Sequence, residues 1–424
     1  MKLTAHKSML SGSVRIPGSK SHTVRAVAIA SLAEGTSRIR EPLAASDTLS
    51  AFNAYRLLGA ETLRPDDWVV RGVGGRPQVP DNVIDVGNSG TTLYIALGSA
   101  ALVEGCTVFT GDDQIRRRPA KPLIDALNAL GAKVVSTRGN GMAPIILQGP
   151  MRGGRITLDG SQTSQYLTSL LINCPLAKGE TVIEVENLVE KPYIEMTLRW
   201  LKEQGIGVQN DSFQRFVIPG GQRYKVFDRT IPADFSSATF FMCAAAITGS
   251  ELTVLGLDMN DTQGDKAVAG MLSEMGARVE QVPDGLRVTG GPLVGGEFDL
   301  GNTPDALPAL AVTACFAEGE TRLVNVPQAR LKETDRISVM REELEKMGAD
   351  VEELPDGLVI RGTALESSHV LHGHSDHRVI MALAMAGLAL DGETTVSTAE
   401  ALNVTFPSFV ELMTSAGAEM SILD

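Results

Sequence analysis

The stretch LEKMGADVE, residues 344–352, is the tail of a charged helix, a glycine, and the first residues of a strand. Glycine at that point suits a left-handed helix cap, because it has no Cβ to clash. The same phrase recurs along the whole chain: YRLLGAETL (55–63), NALGAKVV (128–135), LKEQGIGVQ (201–209), LSEMGARVE (272–280) and MTSAGAEMS (413–421). The six glycines, Gly59, Gly131, Gly205, Gly276, Gly348 and Gly417, lie 72, 74, 71, 72 and 69 residues apart. A fixed period of this length marks a repeated supersecondary unit.

A second series interleaves with the first: a polar turn, an Ala-rich helix and a terminal glycine. Its members begin GSKSHTVRA, GNSGTTLYI, GSQTSQYLT, PADFSSATF, GNTPDALPA and GHSDHRVIM, and close at Gly35, Gly105, Gly179, Gly249, Gly319 and Gly392. Two series at one period give six α/β units, each with two helices and short strands. At 424 residues the chain exceeds one compact core, so six units divide into two domains of three, each with pseudo-threefold symmetry. The small-residue helices are apolar nearly all round and belong inside; charged helices such as MREELEKMGA belong outside. Threefold-related buried helices would point their N-termini toward one end of each domain. Two such ends facing each other make a cleft lined by helix N-termini, which attract anions.

The net charge of −13 (38 basic against 51 acidic residues) disfavours nucleic acid and anionic membranes as partners. Any anion site must then be a local gathering of Lys and Arg. The start MKLTAHKSML lacks the apolar core of a secretory leader, and no run approaches the ~20 apolar residues of a membrane span. Cys106, Cys174, Cys243 and Cys315 are scattered singly, as buried thiols in a reducing cytoplasm would be. A cytoplasmic location is expected.

What varies between the repeats is the start of the inner helices. Ser19, Asn88, Ser89, Thr163, Ser164, Asp234, Asp305 and Asp376 suit ordinary N-caps. Lys20, Arg25 and Arg378 do not, since a cation there opposes the helix dipole by roughly 0.3–1 kcal/mol. Contact with an anionic ligand explains them better than a carboxylate partner. Two further basic clusters join them. GDDQIRRRPAKPLIDAL puts Arg116, Arg117 and Arg118 before a helix whose first turn would hold Pro119 and Pro122. In QARLKETDRISVM, Lys332 and Arg336 stand four apart, as on one helix face, with Glu333 and Asp335 beside them. The implied ligand is a small polyanion gripped by Arg forks, with Asp305 and Glu333 placed for proton transfer.

Other motifs fail. GSKS lacks the leading glycine of a phosphate-binding loop, and no helix follows RGVGGRP. The tract HVLHGHSDH holds His369, His372, His374 and His377 without a matching Cys or carboxylate set, so no metal is expected.

Taken in order, PGSKSHTVRA, GNSGTT, RRRPAKPLIDAL, TSQYLTSLL, KPYIEMTL, PDALPALA, LKETDR and SDHR resemble the 5-enolpyruvylshikimate-3-phosphate synthase family over essentially the whole chain. The resemblance implies an inside-out α/β barrel of three βαβαββ units per domain, with the active site in the interdomain cleft. It implies crossovers near residues 18 and 231, hence domains 19–231 and 1–18 plus 232–424. It implies transfer of the enolpyruvyl group of phosphoenolpyruvate to the 5-hydroxyl of shikimate 3-phosphate, releasing phosphate, by a monomer without cofactor or metal. By motif position, Lys20, Gly90, Arg118, Arg336 and Arg378 would hold phosphoenolpyruvate. Lys20, Ser21, Arg25, Thr163, Ser164, Gln165, Tyr193, Asp305, Gln328 and Lys332 would hold the acceptor. Lys20, Asp305 and Glu333 would be catalytic.

This sequence departs from the family pattern at Glu190, where a phosphate-binding serine is usual, and at Tyr94, Gln328 and Val404. Either Glu190 turns away, or the acceptor is a related cyclic alcohol without phosphate. The sister family that acts on UDP-N-acetylglucosamine carries a Cys before the Arg-Pro, and GDDQIRRRP has none. A ring-shaped DNA clamp of α/β units is a reading of another class; it would need Lys and Arg along helix faces rather than at helix starts.

Overall fold

The computed structural model describes residues 1–63, 67–366 and 370–423. The chain forms a mixed helix and strand fold that divides into two compact units, residues 18–231 and residues 1–17 with 232–424. His369 lies outside the described residues.

Among the described residues each unit has three four-stranded sheets of one design. The sheet Ile84–Asp85, Cys106–Thr110, Ile145–Gln148, Lys133–Ser136 shows it: the first two strands run parallel, and the next two follow antiparallel. The parallel pair is a strand–helix–strand crossover around the helix Gly90–Ala100. The antiparallel pair is the hairpin that follows the glycine-capped helix. All six glycines of the period have positive φ, from 74° at Gly205 to 107° at Gly276. That backbone would strain any residue with a Cβ, which is why the period is readable in glycine.

At two of the six crossovers the parallel edge strand is exchanged. Ser13–Arg15 leads into the helix Lys20–Leu32, yet it pairs with Glu251–Leu255, the strand after the helix Phe235–Thr248. Asp228–Thr230 leads into Phe235–Thr248, yet it pairs with Glu34–Arg40. Each unit thus completes a sheet with an edge strand drawn from just before the chain crosses to the other. The N-terminal strand Lys2–His6 sits between Glu393–Ser397 and Glu419–Leu423, so both chain ends share one sheet.

Within each unit three helices form the core. In 18–231 they are Lys20–Leu32, Gly90–Ala100 and Gln165–Asn173; in the other unit, Phe235–Thr248, Leu307–Cys315 and His377–Gly387. His377–Gly387 and Leu307–Cys315 are buried at every residue, as helices of small side chains enclosed by their neighbours must be. Among the described residues six further helices, such as Lys121–Ala129 and Arg336–Lys346, bury one face only. Pro122 is in the first turn of Lys121–Ala129, whereas Pro119 precedes the helix, contrary to the placement expected for it.

Cys174, Cys243 and Cys315 are buried, and burial pushes each thiol up to about 12. Cys106 is exposed at the start of its strand, against the expectation of a buried thiol. Among the described residues no helix is long and apolar enough to cross a membrane.

Candidate active site

In the unit 18–231 the inner helices run parallel. The Arg25 guanidinium donates to Thr168 at 3.3 Å, joining the early turns of two of them. The Ser169 hydroxyl donates to the Tyr94 carbonyl at 2.6 Å, joining the second of these to the third, Gly90–Ala100. A Cβ on Gly98 would stand 2.4 Å from the Ser169 oxygen, so glycine permits this close approach. Three helix N-termini therefore share one end of the unit, and their polar residues gather there.

Arg25 is the unusual group at that end. It is buried, and donates to Thr197 Oγ1 at 2.9 Å, the Ser21 carbonyl at 2.9 Å and the Tyr193 carbonyl at 3.1 Å, besides Thr168. All four acceptors are neutral, and no carboxylate pairs with Arg25 among the described residues. Burial pulls its pKa down to about 10, with Tyr193 acting the other way, so it remains a cation at neutral pH. A buried cation among neutral oxygens is an electrostatic arrangement suited to a small anion.

Lys20, by contrast, has an acidic partner in Asp47 at 3.2 Å. Asp47 in turn accepts Thr92 Oγ1 at its carbonyl, which ties the starts of two inner helices together. Arg118 lies half-buried against Gly90, where a Cβ would approach its Nη1 to 2.7 Å. The loop carrying Arg118 is fixed from behind. Tyr94 and Tyr166 stack edge to face, ring centres 5.0 Å apart, and both hydroxyls donate to the Pro119 carbonyl. Tyr94 thereby acts as a support for the Arg118 loop. Arg116 turns to Asp113 and the Gly111 carbonyl, while Arg117 is exposed.

Glu190 is 2% exposed and holds a left-handed backbone, φ 55° and ψ 42°, at the N-cap of the helix Lys191–Glu203. Its carboxylate does not cap that helix. It reaches the start of Gln165–Asn173, where Oε2 accepts the Ser164 N–H at 3.2 Å, the Ser164 hydroxyl at 2.9 Å and, at the long limit of 3.5 Å, the Thr163 hydroxyl. Thr163 also accepts the Gln165 N–H at 3.2 Å, and Gln165 Oε1 is buried without a hydrogen-bond partner among the described residues.

The unit of 1–17 and 232–424 gathers the other group. Arg336 is fully buried and carries a carboxylate on each side: Asp376 at 2.8 and 3.2 Å, Asp305 at 2.7 Å and Glu333 at 2.6 Å. Arg378 takes the second oxygen of Asp305 at 2.9 Å. Asp376 caps its helix through the Arg378 N–H at 2.9 Å. Burial works against the charge on both arginines, but the surrounding carboxylates outweigh it and raise both pKa values. Lys332 and Arg336 do not share a helix, contrary to the reading of their spacing. Lys332 ends the short turn Pro327–Leu331, and the helix begins at Arg336 with Asp335 as its cap. Gln328 donates to the Gly301 carbonyl at 3.0 Å and is buried.

Asp265, which the sequence reading passed over, lies buried behind this cluster. It accepts the Ser236 hydroxyl at Oδ2, while Oδ1 has no hydrogen-bond partner among the described residues. Burial and the neighbouring Asp305 raise its pKa from 3.8 to about 7, with Arg378 pulling the other way. A carboxyl more acidic in the unfolded chain favours folding only while protonated. That contribution is complete below pH 3.8 and is lost as pH rises through about 7. Asp265→Asn removes the penalty, so its stability relative to wild type should grow from pH 4 toward pH 8 in paired urea melts; a constant difference would refute the assignment.

The family model for EPSP synthase (3-phosphoshikimate 1-carboxyvinyltransferase) matches residues 4–413. The chain belongs to the EPSP synthase family. It is 56% identical over 422 residues to the 3-phosphoshikimate 1-carboxyvinyltransferase of Acetivibrio thermocellus, covering 99% of each chain. It is 54% identical to that of Ruminiclostridium cellulolyticum over the full length of both. A solved EPSP synthase structure from Acinetobacter baumannii, 28% identical, superposes on 99% of this chain with a TM-score of 0.82. The mixed fold of the family is thus the fold of this chain.

Set against the residues expected from motifs, the structure brings Lys20, Ser21, Arg25, Thr163, Ser164, Gln165 and Tyr193 to the polar end of one unit, with Gly90 and Arg118 at a neighbouring helix start. It gathers Asp305, Glu333, Arg336 and Arg378 into one ion-pair network in the other. Lys20 and Arg378 each have a carboxylate neighbour, Asp47 and Asp305, whereas Arg25 has none among the described residues. Among the described residues no His, Cys, Asp or Glu cluster is arranged to hold a metal. The buried Glu343 instead accepts the His372 backbone N–H at 2.9 Å and lies 2.8 Å from His374 Nε2.

Proposed function

We propose that this protein transfers the enolpyruvyl group of phosphoenolpyruvate to the 5-hydroxyl of shikimate 3-phosphate with release of phosphate. The observation that carries this reading is 56% identity, across 99% of both chains, to a curated 3-phosphoshikimate 1-carboxyvinyltransferase. The buried charge of Arg25 and the clustered arginines 336 and 378 support it, because both substrates are small polyanions.

In this reading Lys20, Gly90, Arg118, Arg336 and Arg378 hold phosphoenolpyruvate. Ser21 and Arg25 hold the acceptor carboxylate, and Thr163, Ser164, Gln165, Tyr193 and Gln328 the rest of the acceptor. Asp305 removes the proton of the 5-hydroxyl, which Lys332 contacts, as its oxygen bonds to C2 of phosphoenolpyruvate. Glu333, with Lys20, delivers a proton to the C3 methylene, giving a tetrahedral intermediate. Removal of a C3 proton and cleavage of the C2–O bond to phosphate then restore the enol ether. The cations stabilise the phosphate as it departs. The two domains of three pseudo-threefold units form an inside-out α/β barrel each, and close over the substrates as a cytoplasmic monomer.

The test is phosphate release from phosphoenolpyruvate with shikimate 3-phosphate, shikimate or UDP-N-acetylglucosamine as acceptor. Turnover confined to shikimate 3-phosphate is expected; turnover with either of the others and not with it refutes the reading. An excess of acidic residues, and the gathering of Lys20, Arg25, Arg118 and Arg378 at helix starts and a loop, disfavour the DNA clamp.

A further inference from the structure

The donors at the start of the helix Gln165–Asn173 are occupied by an anion that the chain itself supplies. The Ser164 N–H, the Ser164 hydroxyl and the Thr163 hydroxyl converge on one oxygen, Oε2 of Glu190. The arrangement is enclosed: Glu190 is 2% exposed and Ser164 and Thr163 are buried. Glu190 reaches it from the N-cap of another helix, in a left-handed backbone that a residue with a side chain seldom adopts. The motif reading of the chain assigns these same two hydroxyl residues to the acceptor.

We infer that Glu190 competes with the acceptor's phosphate for these donors, and so sets the discrimination between a phosphorylated acceptor and its unphosphorylated counterpart. Carboxylate and phosphate are both oxyanions, and an N–H and two hydroxyls at a helix N-terminus suit either. They do not suit both together. Two anions within hydrogen-bonding distance of one group repel each other, and buried charges are screened far less than exposed ones. Acceptor phosphate therefore enters only when the Glu190 side chain leaves. Its apparent affinity is reduced by the fraction of molecules in which Glu190 has turned out. An acceptor without phosphate does not meet this competition. This inference rests on the proposed function, because it takes shikimate 3-phosphate as the acceptor.

The experiment is calorimetric titration of the full chain, wild type, Glu190→Gln and Glu190→Ser, with shikimate 3-phosphate and, separately, shikimate. Glu190→Gln keeps the shape and removes the charge; Glu190→Ser removes both, and thermal melts verify that each variant is folded. Both variants are expected to bind shikimate 3-phosphate at least about tenfold more tightly than wild type, with shikimate altered less than about twofold. Unchanged or weaker binding of shikimate 3-phosphate in both folded variants overturns the inference, and so does equal tightening of both acceptors. Phosphate release by the wild type is read in parallel. Turnover of shikimate 3-phosphate without selective tightening defeats this inference alone. Selective tightening without turnover in any variant leaves the inference standing and defeats the proposed function.

Discussion

Asp305→Asn should lower kcat by roughly 10²–10⁴-fold, the range that loss of a positioned general base produces, with KM for phosphoenolpyruvate altered far less. The substitution is nearly isosteric, and the amide oxygen can still accept one of the two arginine contacts now made by the carboxylate, Arg336 at 2.7 Å or Arg378 at 2.9 Å. Binding and chemistry should therefore separate. Asp305 contacts both guanidinium groups, Arg336 through Oδ1 and Arg378 through Oδ2. Steady-state rates at saturating phosphoenolpyruvate decide it. A kcat within about threefold of wild type would assign the base elsewhere.

Arg336→Met should cost on the order of 3–5 kcal/mol of folding stability, the usual consequence of removing one partner from a buried ionic group. Arg336 has no solvent exposure and is shared among Asp376, Asp305 and Glu333. Methionine fills much of the same volume. The loss is then electrostatic, since three carboxylates are left facing one another with Arg378 as the remaining nearby cation on Asp305. Urea denaturation at pH 7 measures it. Because protonation relieves the repulsion, the deficit should shrink as pH falls toward the carboxylate range. A deficit independent of pH would mean that lost packing, not lost charge, is responsible.

How far these sites were legible in the sequence depends on what each feature requires of the chain. The period was legible because a positive φ at Gly59, Gly131 and their four counterparts selects glycine almost alone. The burial of the Ala-rich helices was legible because they have no polar face. The exchange of the edge strands was not. Ser13–Arg15 and Asp228–Thr230 are three residues each, and nothing so short specifies its partner. Crossovers near residues 18 and 231 were an expectation of the family resemblance alone.

At the site, residue types were legible and pairings were not. Lys20 and Arg378 stood out as cations at helix starts, but the acids that meet them, Asp47 and Asp305, lie 27 and 73 residues away in the chain. Asp265 has an unremarkable sequence context in QGDK, and only its burial makes it distinctive. The spacing of Lys332 and Arg336 imitated a helix face; the signal that corrected it was Asp335, which accepts the Ser338 N–H at 3.1 Å and starts the helix one residue later. Glu190 was conspicuous by its type, yet only the structure turns its carboxylate onto Ser164.

Under the proposed function, Arg118 and Arg378 both hold phosphoenolpyruvate. This is tested most directly by titrating phosphoenolpyruvate, in the presence of saturating shikimate 3-phosphate, into wild type, Arg118→Ala and Arg378→Ala. Each variant should bind at least about tenfold more weakly than wild type, since each loses a charge-assisted contact worth roughly 1.5–3 kcal/mol. Wild-type affinity in either folded variant would remove that arginine from the phosphoenolpyruvate site, and would contradict the proposed assignment.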